Sequence, residues 1–344
     1  MVHTLDPIND LRWAQFLDQH RSASVFHTPA WLKAVQRTYG YKPMVYTTAE
    51  QSQPLVNGIV FCEINSWLTG RRLVSVPFSD HCEPLVDDAV DAGQITTQLR
   101  DGVKAGKWKY VELRPASEMA PLNGAVESPA CFLHMLDLQP SAEEILRKTH
   151  KTSIQQPIKR AEREGLVYER GNSERLLDAF YRLLVLTRRR HQLPPQPVQW
   201  FRNLIDCMGD ALTIRVAFKD GKEVASVLTL QYKNTVVYKY GCSDAAFQNL
   251  GGTPFLLWKT ITEAKAAGLT RMDFGRSDAA NPGLIAFKER WGAKPSKLIY
   301  LRWSRKQTSE SAKQHSSEFI KQLFAVMPDA LLQATGRILY RHVG

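Results

Sequence analysis

Residues 238–293 read YKYGCSDAAFQNLGGTPFLLWKTITEAKAAGLTRMDFGRSDAANPGLIAFKERWGA. A strand-like opening leads into a loop with Gly251-Gly252, and Thr253-Pro254 then starts a helix that Gly268 stops. Threonine before a proline in the first turn is a start signal, and glycine past the last turn is a stop signal. A strand over 270–274 and a short helix over about 284–291 complete the segment. Glycine lets a backbone approach a ligand closely, and the unpaired N–H groups of a helix start suit a phosphate. Gln248, Gly251, Gly252 and Thr253 occupy that turn. A plain tight turn before a helix explains the same glycines.

Upstream of this segment the second half carries helical patterns over 174–190 and 197–208. Three strands follow as a meander, over 211–219, 223–232 and 235–241. Asp220-Gly221, a favoured hairpin dipeptide, joins the first two. A last strand is expected over 297–303. The first half has a similar order: helices over 8–20 and 28–39, strands over 42–48, 55–64 and 73–78, a helix over 88–105, then strands over 108–113 and 132–138. The fold class expected is therefore α/β with mixed sheets, an α+β arrangement read twice in tandem; a single larger mixed sheet is the alternative. Between the halves, 141–165 holds Arg147, Lys148, His150, Lys151, Lys159, Arg160 and Arg163, with Pro157 breaking the helix. The expected domains are 1–140, 141–305 and a helical tail over 306–344.

Lysine and arginine total 45 against 34 acidic residues, a net charge of +11, which favours a polyanionic partner. A hydrophobic fraction of 44% places the chain among globular proteins and excludes a disordered one. Five cysteines, an odd count without C-x-x-C, argue against a disulfide framework or a zinc ribbon. His81, Cys82 and Glu83 are adjacent, and neighbours rarely converge on one ion, so no metal is expected. The first residues are not a signal peptide, and no apolar run reaches the ~18–20 residues of a spanning helix. The expected location is cytoplasmic, or peripheral at the inner membrane face. Apolar residues from Phe319 to Tyr340, with Lys321, Arg337 and Arg341, read either as helices lying on a membrane over 319–343 or as helices packed on the body.

The 238–293 segment resembles the C-terminal half of the Fem-type peptidyltransferases and the related FemAB-like or BioF2-like proteins, which are acetyltransferase-like (GNAT-type). The resemblance rests on Tyr240-Gly241, the Leu250-Gly251 loop, the helix ending at Gly268, Asp273-Phe274-Gly275, and Gly283-Leu284 before Phe287-Lys288. Gln248-x-x-Gly251-x-Thr253 partly matches the acetyltransferase phosphate-binding pattern. The resemblance implies two tandem acetyltransferase-like domains and transfer of an acyl or aminoacyl group to an amine of a cell-wall or surface-polysaccharide precursor. The donor would be acyl-CoA or aminoacyl-tRNA. The acceptor would be a glycan or peptide, in some members lipid-linked. A non-catalytic tRNA- or anionic-glycan-binding protein is the competing reading.

By this resemblance Lys288 offsets negative charge on the transition state, where a fixed cation meets a developing oxyanion; otherwise it is a surface lysine. On the first reading, Lys288→Ala abolishes transfer and leaves the melting temperature nearly unchanged. Asp273 is suited to accept the amine's proton or to cap a loop. Arg276 is suited to a donor phosphate, or to an ion pair with Asp273 or Asp278. Tyr240 either protonates a leaving group or is a core tyrosine. In the first half, Asp80, His81 and Glu83 follow a strand where the family's acceptor-facing loop falls. Arg190 ends a run of three arginines that suits a phosphorylated ligand and would bind substrate; the run also closes a helix, where cations are favoured for structural reasons. No G-x-S-x-G elbow is present, so direct attack by the amine is expected.

Overall fold

The computed structural model describes residues 1–119, 122–305 and 323–343. The polar stretch expected over 306–317 and the start of 319–343 lie outside them. The chain runs through β1 (His3–Leu5), α1 (Leu11–Gln19), α2 (Pro29–Tyr39), β2 (Lys42–Thr47), β3 (Ile59–Ser66), β4 (Gly70–Val74), α3 (Ala89–Lys104), β5 (Tyr110–Leu113) and β6 (Val126–Glu127). Next come β7 (Cys131–Asp137), α4 (Ala142–Lys148), α5 (Gln156–Arg163), β8 (Val167–Gly171), α6 (Glu174–Arg190), α7 (Val198–Met208) and β9 (Leu212–Lys219). Then follow β10 (Lys222–Tyr232), β11 (Thr235–Ser243), α8 (Gly252–Ala266), β12 (Arg271–Asp278), α9 (Pro282–Glu289), β13 (Lys294–Leu298), β14 (Leu301–Ser304) and α10 (Asp329–Leu339).

Among the described residues the strands form two mixed sheets of seven, in the orders β1-β2-β3-β4-β5-β14-β6 and β13-β7-β12-β11-β10-β9-β8. Each sheet belongs to its own compact unit. The first unit takes Met1–Cys131, the β14 strand and the chain from Ile338; the second takes Phe132–Ser296 and most of α10. Boundaries drawn from the sequence at 140 and 305 run straight along the chain, whereas the units exchange strands. The single strand expected over 297–303 is in fact two, β13 in the second sheet and β14 in the first. The run Lys297–Trp303 reads Lys-Leu-Ile-Tyr-Leu-Arg-Trp with no glycine, proline or other turn residue, so the sequence pattern has no mark where the chain changes sheet.

Local chemistry explains the elements. Thr28 accepts the Trp31 N–H at 3.3 Å, Pro29 sits in the first turn of α2, and Gly40 closes it in the left-handed region. Asp220 and Gly221 take φ of 52° and 78°, as a two-residue hairpin needs. Pro157 does not end the helical run: a π-helical turn over Lys151–Gln155 leads straight into α5, and the proline stands just past that joint, where the widened turn takes up its missing N–H. The first core gathers Phe61, Leu73, Leu99, Trp108, Val111 and Trp303.

In the second unit α5 and α8 cover one face of the sheet, where Leu256 and Ile261 of α8 share a core with Val227, Met272 and Phe274 of the strands. On the other face the rings of Phe180 on α6 and Phe201 on α7 pack edge-on against Tyr240. α10 lies close to the body: a Cβ on Gly336 would come within 1.9 Å of the Pro195 carbonyl. No described helix is long and apolar enough to cross a membrane.

Candidate active site

The parallel pair at the middle of the second sheet decides where a ligand can sit. β11 and β12 pair only over Thr235–Val237 with Arg271–Asp273, although both strands continue, to Ser243 and Asp278. Against β11's other neighbour, β10, the consecutive residues Leu228 and Thr229 face Tyr240 and Tyr238, which leaves Lys239 as the extra residue of a bulge on β11. A bulge bends its strand, so the carboxyl ends of β11 and β12 diverge. The helices that follow these strands, α8 and α9, both begin at that end, the usual place for a ligand in such sheets.

At the β11 exit, a turn over Ala245–Leu250 brings the chain to Gly251, which takes φ 76° and precedes α8. The first-turn amides of Gly252 and Thr253 have no intrahelical acceptor. Gln248 is exposed and gives its carbonyl to the Gly251 N–H at 3.3 Å. The glycines also have a packing reason. A Cβ on Gly251 would meet the Pro157 carbonyl at 2.3 Å, and one on Gly252 would meet the Ala225 Cβ at 2.8 Å. α5 therefore lies directly against the turn, and its Arg160 donates to the Asn249 carbonyl at 3.1 Å. Arg190, exposed, donates to the Ser243 carbonyl at 3.3 Å and so also stands at the end of β11.

At the β12 exit, Lys288 is only 2% exposed, although it lies on a short helix. Its Nζ donates to the Gly275 carbonyl at 2.7 Å and the Arg276 carbonyl at 2.9 Å. The surface-lysine reading is thereby corrected. Asp273 accepts the Gly275 N–H at 2.6 Å, which caps the turn where Gly275 takes φ 72°. Arg276 is exposed and pairs with Asp278 at 3.5 Å, one of the two ion pairs expected for it.

Tyr240 does not join this group. Its hydroxyl donates to Gln196 Oε1 at 2.6 Å and accepts the Trp200 N–H at 2.9 Å, within the α6–α7 face. The bulge at Lys239 breaks the alternation of β11, so Tyr238 packs on Phe274 and Tyr240 turns to the opposite face; as a core tyrosine Tyr240 gives its proton to Gln196, not to a leaving group. Asp80, His81 and Glu83 belong to the first unit. There the Asp80 carbonyl accepts the Tyr300 hydroxyl at 2.7 Å, and His81 packs edge-on against Phe26. Glu83 accepts the Ala116 N–H at 2.5 Å, the Ser117 N–H at 3.1 Å and the Ser117 hydroxyl. Its carboxylate is thus consumed in tying two loops of its own unit together. Among the described residues no group of histidine, cysteine and acidic side chains is arranged to hold a metal.

One neighbour of Lys288 went unread in the sequence. His134, on β7 beside β12, is fully buried, and its Nδ1 lies 3.4 Å from the Ser277 hydroxyl. Its Nε2 has no hydrogen-bond partner among the described residues. Burial, and then the charge of Lys288, hold this imidazole below its usual range, against the pull of Glu289. The available signal was a lone histidine in the otherwise apolar stretch 131–136 of β7. Cys242, near the end of β11, is no nucleophile: burial pushes its thiol far up, and it donates to the Phe180 and Ser226 carbonyls.

Residues 148–289 match the acetyltransferase (GNAT) domain model. That span holds the α8 turn, β12 and Lys288. The chain is 30% identical over 109 residues to the UDP-N-acetylmuramoylpentapeptide-lysine N(6)-alanyltransferase of Weissella viridescens, a stretch covering 31% of this chain and 29% of that protein. The chain thus spans less than a third of the curated relative it matches. Its structure is similar to that of FemX, with a TM-score of 0.68 at 12% identity over 88% of this chain and 97% of the other. It is also similar to a tandem GNAT protein from the clavulanic acid biosynthesis pathway, with a TM-score of 0.55 at 10% identity over 90% and 100%. The fold is accordingly two GNAT-type domains in tandem.

Proposed function

We propose that this protein transfers an acyl or aminoacyl group to an amine of a cell-wall or surface-polysaccharide precursor. The observation that carries the reading is Lys288, a buried ammonium held on two carbonyls at the diverging end of β11 and β12. Burying a lysine is costly, and a fixed cation in a low-dielectric site is worth most where negative charge develops. The GNAT match over that segment supports acyl chemistry, and the name of the Weissella relative supports an amine acceptor on a peptidoglycan precursor.

In this reading the donor is acyl-CoA or aminoacyl-tRNA, with its phosphate at the free amides of Gly252 and Thr253 and Arg190 nearby. The acceptor nitrogen attacks the donor carbonyl directly, the C–N bond forms, and the thioester or ester bond breaks. The amine's proton leaves with the thiol or hydroxyl. Lys288 steadies the oxyanion in between, and Asp273 shapes the Gly275 turn that presents the two carbonyls.

The test is to incubate the protein with acyl-CoA or charged tRNA and UDP-linked muramyl peptides, and to follow the acceptor by mass spectrometry. A mass gain of one acyl or aminoacyl unit supports the reading. Tight, salt-sensitive retention of tRNA or anionic glycan with no turnover of either donor overturns it in favour of a binding protein.

A further inference from the structure

We propose that His134 is a positioning residue for the transfer, acting through Ser277 on the ammonium of Lys288; the inference rests on the transferase reading above. Three observations place it. His134 and Ser277 are both fully buried, on neighbouring strands. Leu138 donates its N–H to the Thr270 carbonyl at 2.9 Å, while His134 meets Ser277 further along, so β7 and β12 run antiparallel and His134 lies opposite the end of β12. That end holds the Gly275 and Arg276 carbonyls on which Lys288 rests.

β12 has already parted from β11 at this point. The contact with β7 is therefore what holds residues 275–277 from the other side. His134 fixes Ser277, Ser277 fixes the two carbonyls, and the carbonyls fix the Nζ. A shift of about 1 Å in a catalytic group can cost up to about 100-fold in rate.

A histidine kept only for packing would be expected to satisfy both nitrogens, since an unmet buried polar atom costs about 1–3 kcal/mol. Here Nε2 is left over, so an apolar side chain of similar size would pack at lower cost. The charged groups that act on the ring are Lys288 and Glu289 on α9; β12 presents Ser277, and on β13 Ser296 donates to the neighbouring Leu133 carbonyl at 3.5 Å. A neutral imidazole leaves the Lys288 charge unopposed. A protonated one would set a second cation beside it.

The experiment compares His134→Leu, His134→Asn, Ser277→Ala and the double variant His134→Leu/Ser277→Ala in the full chain, with melting temperatures recorded for each. The expected result is that His134→Leu lowers kcat about 10- to 100-fold with KM nearly unchanged. His134→Asn, which can keep the Nδ1-side contact, restores most of it. Ser277→Ala matches His134→Leu, and the double variant is no worse than either single one. Wild-type kcat in His134→Leu, an Asn variant as poor as the Leu variant, or losses that multiply in the double variant would each overturn the proposal. So would a covalent acyl-Ser277 adduct in the intact mass.

A second readout does not need turnover. In the native chain, the His134 imidazole followed by NMR should titrate below an ordinary histidine, and Lys288→Met should move it upward. An unmoved titration removes the coupling to Lys288. If the wild-type protein turns over neither donor, the transferase reading fails and the catalytic role with it, while the titration still reports on the coupling.

Discussion

Each unit buries a knot of titratable side chains, and the two are used differently. In the first, His27 is fully buried, contacts Ser24 through Nδ1 and lies 2.9 Å from the Glu83 carbonyl and 3.4 Å from the Cys82 sulfur through Nε2. Burial pushes its imidazole down to about 4 and the Cys82 thiol up to about 12, so neither is chemically active near neutrality. Glu83 gives both carboxylate oxygens to residues 116 and 117. In the second knot, His134 keeps an unspent nitrogen and Lys288 holds its charge at the mouth of a diverging strand pair. A histidine, a cysteine and an acid side by side at 81–83 look more like a site in sequence than a lone histidine does. Position separates the two knots better than density of reactive types: the second stands where β11 and β12 part, while the first ties loops of its own unit together.

The strongest challenge to that contrast is Lys288→Met. Transfer should fall by at least about 100-fold, the scale of losing a fixed oxyanion partner. Melting should also fall, by about 1–3 kcal/mol of stability, because two buried carbonyls lose their donor. Turnover assays and thermal melts on the same samples check both, and full activity would move the chemistry elsewhere.

The first knot makes its own prediction, about pH. Between pH 6.5 and about 4 the unfolded chain binds a proton at His27 that the folded chain refuses. Stability therefore declines as pH falls through that window, by up to about 1.4 kcal/mol per pH unit. Urea midpoints should show the slope, and His27→Gln should flatten it. An identical slope in the variant would show that other groups govern acid unfolding.

Glycine substitutions sharpen the contrast inside the second unit. Gly251→Ala should cost about 2 kcal/mol or more, from φ 76° and the approach to the Pro157 carbonyl. Gly268→Ala, at φ 77° with nothing within 4 Å, should cost only about 1 kcal/mol. Denaturant midpoints would collapse the distinction if the two variants matched. Smallest of all, Glu83→Gln should lower stability by about 1 kcal/mol and leave kcat per folded molecule unchanged. A loss of acceptor affinity without a shift in melting would return Glu83 to substrate binding.

Much of the second unit was legible because its signals are local. Asp220-Gly221, Gly268 and the Thr253-Pro254 start each act within a turn, and each stands where expected, with α8 beginning one residue early at Gly252. What stayed hidden depends on partners far along the chain. Tyr240 looks available until Gln196 and Trp200 take its hydroxyl. Lys288 reads as a surface residue until α9 folds onto the end of β12. His134 acquires meaning only from Ser277, 143 residues away.

The interleaving of the sheets bears on how the chain is made. β14 lies between β5 and β6, pairing Leu301 with Leu113 on one side and with Glu127 on the other. As the ribosome synthesises the chain, β5 therefore waits with a bare edge until Phe132–Ser296 has been translated, and bare edges are where chains pair wrongly. A fragment cut near residue 140 would lack the strand that closes its sheet, so dissecting the protein there should yield an aggregating N-terminal piece. The last strand thus acts as a latch that the chain can close only after the second sheet has been made.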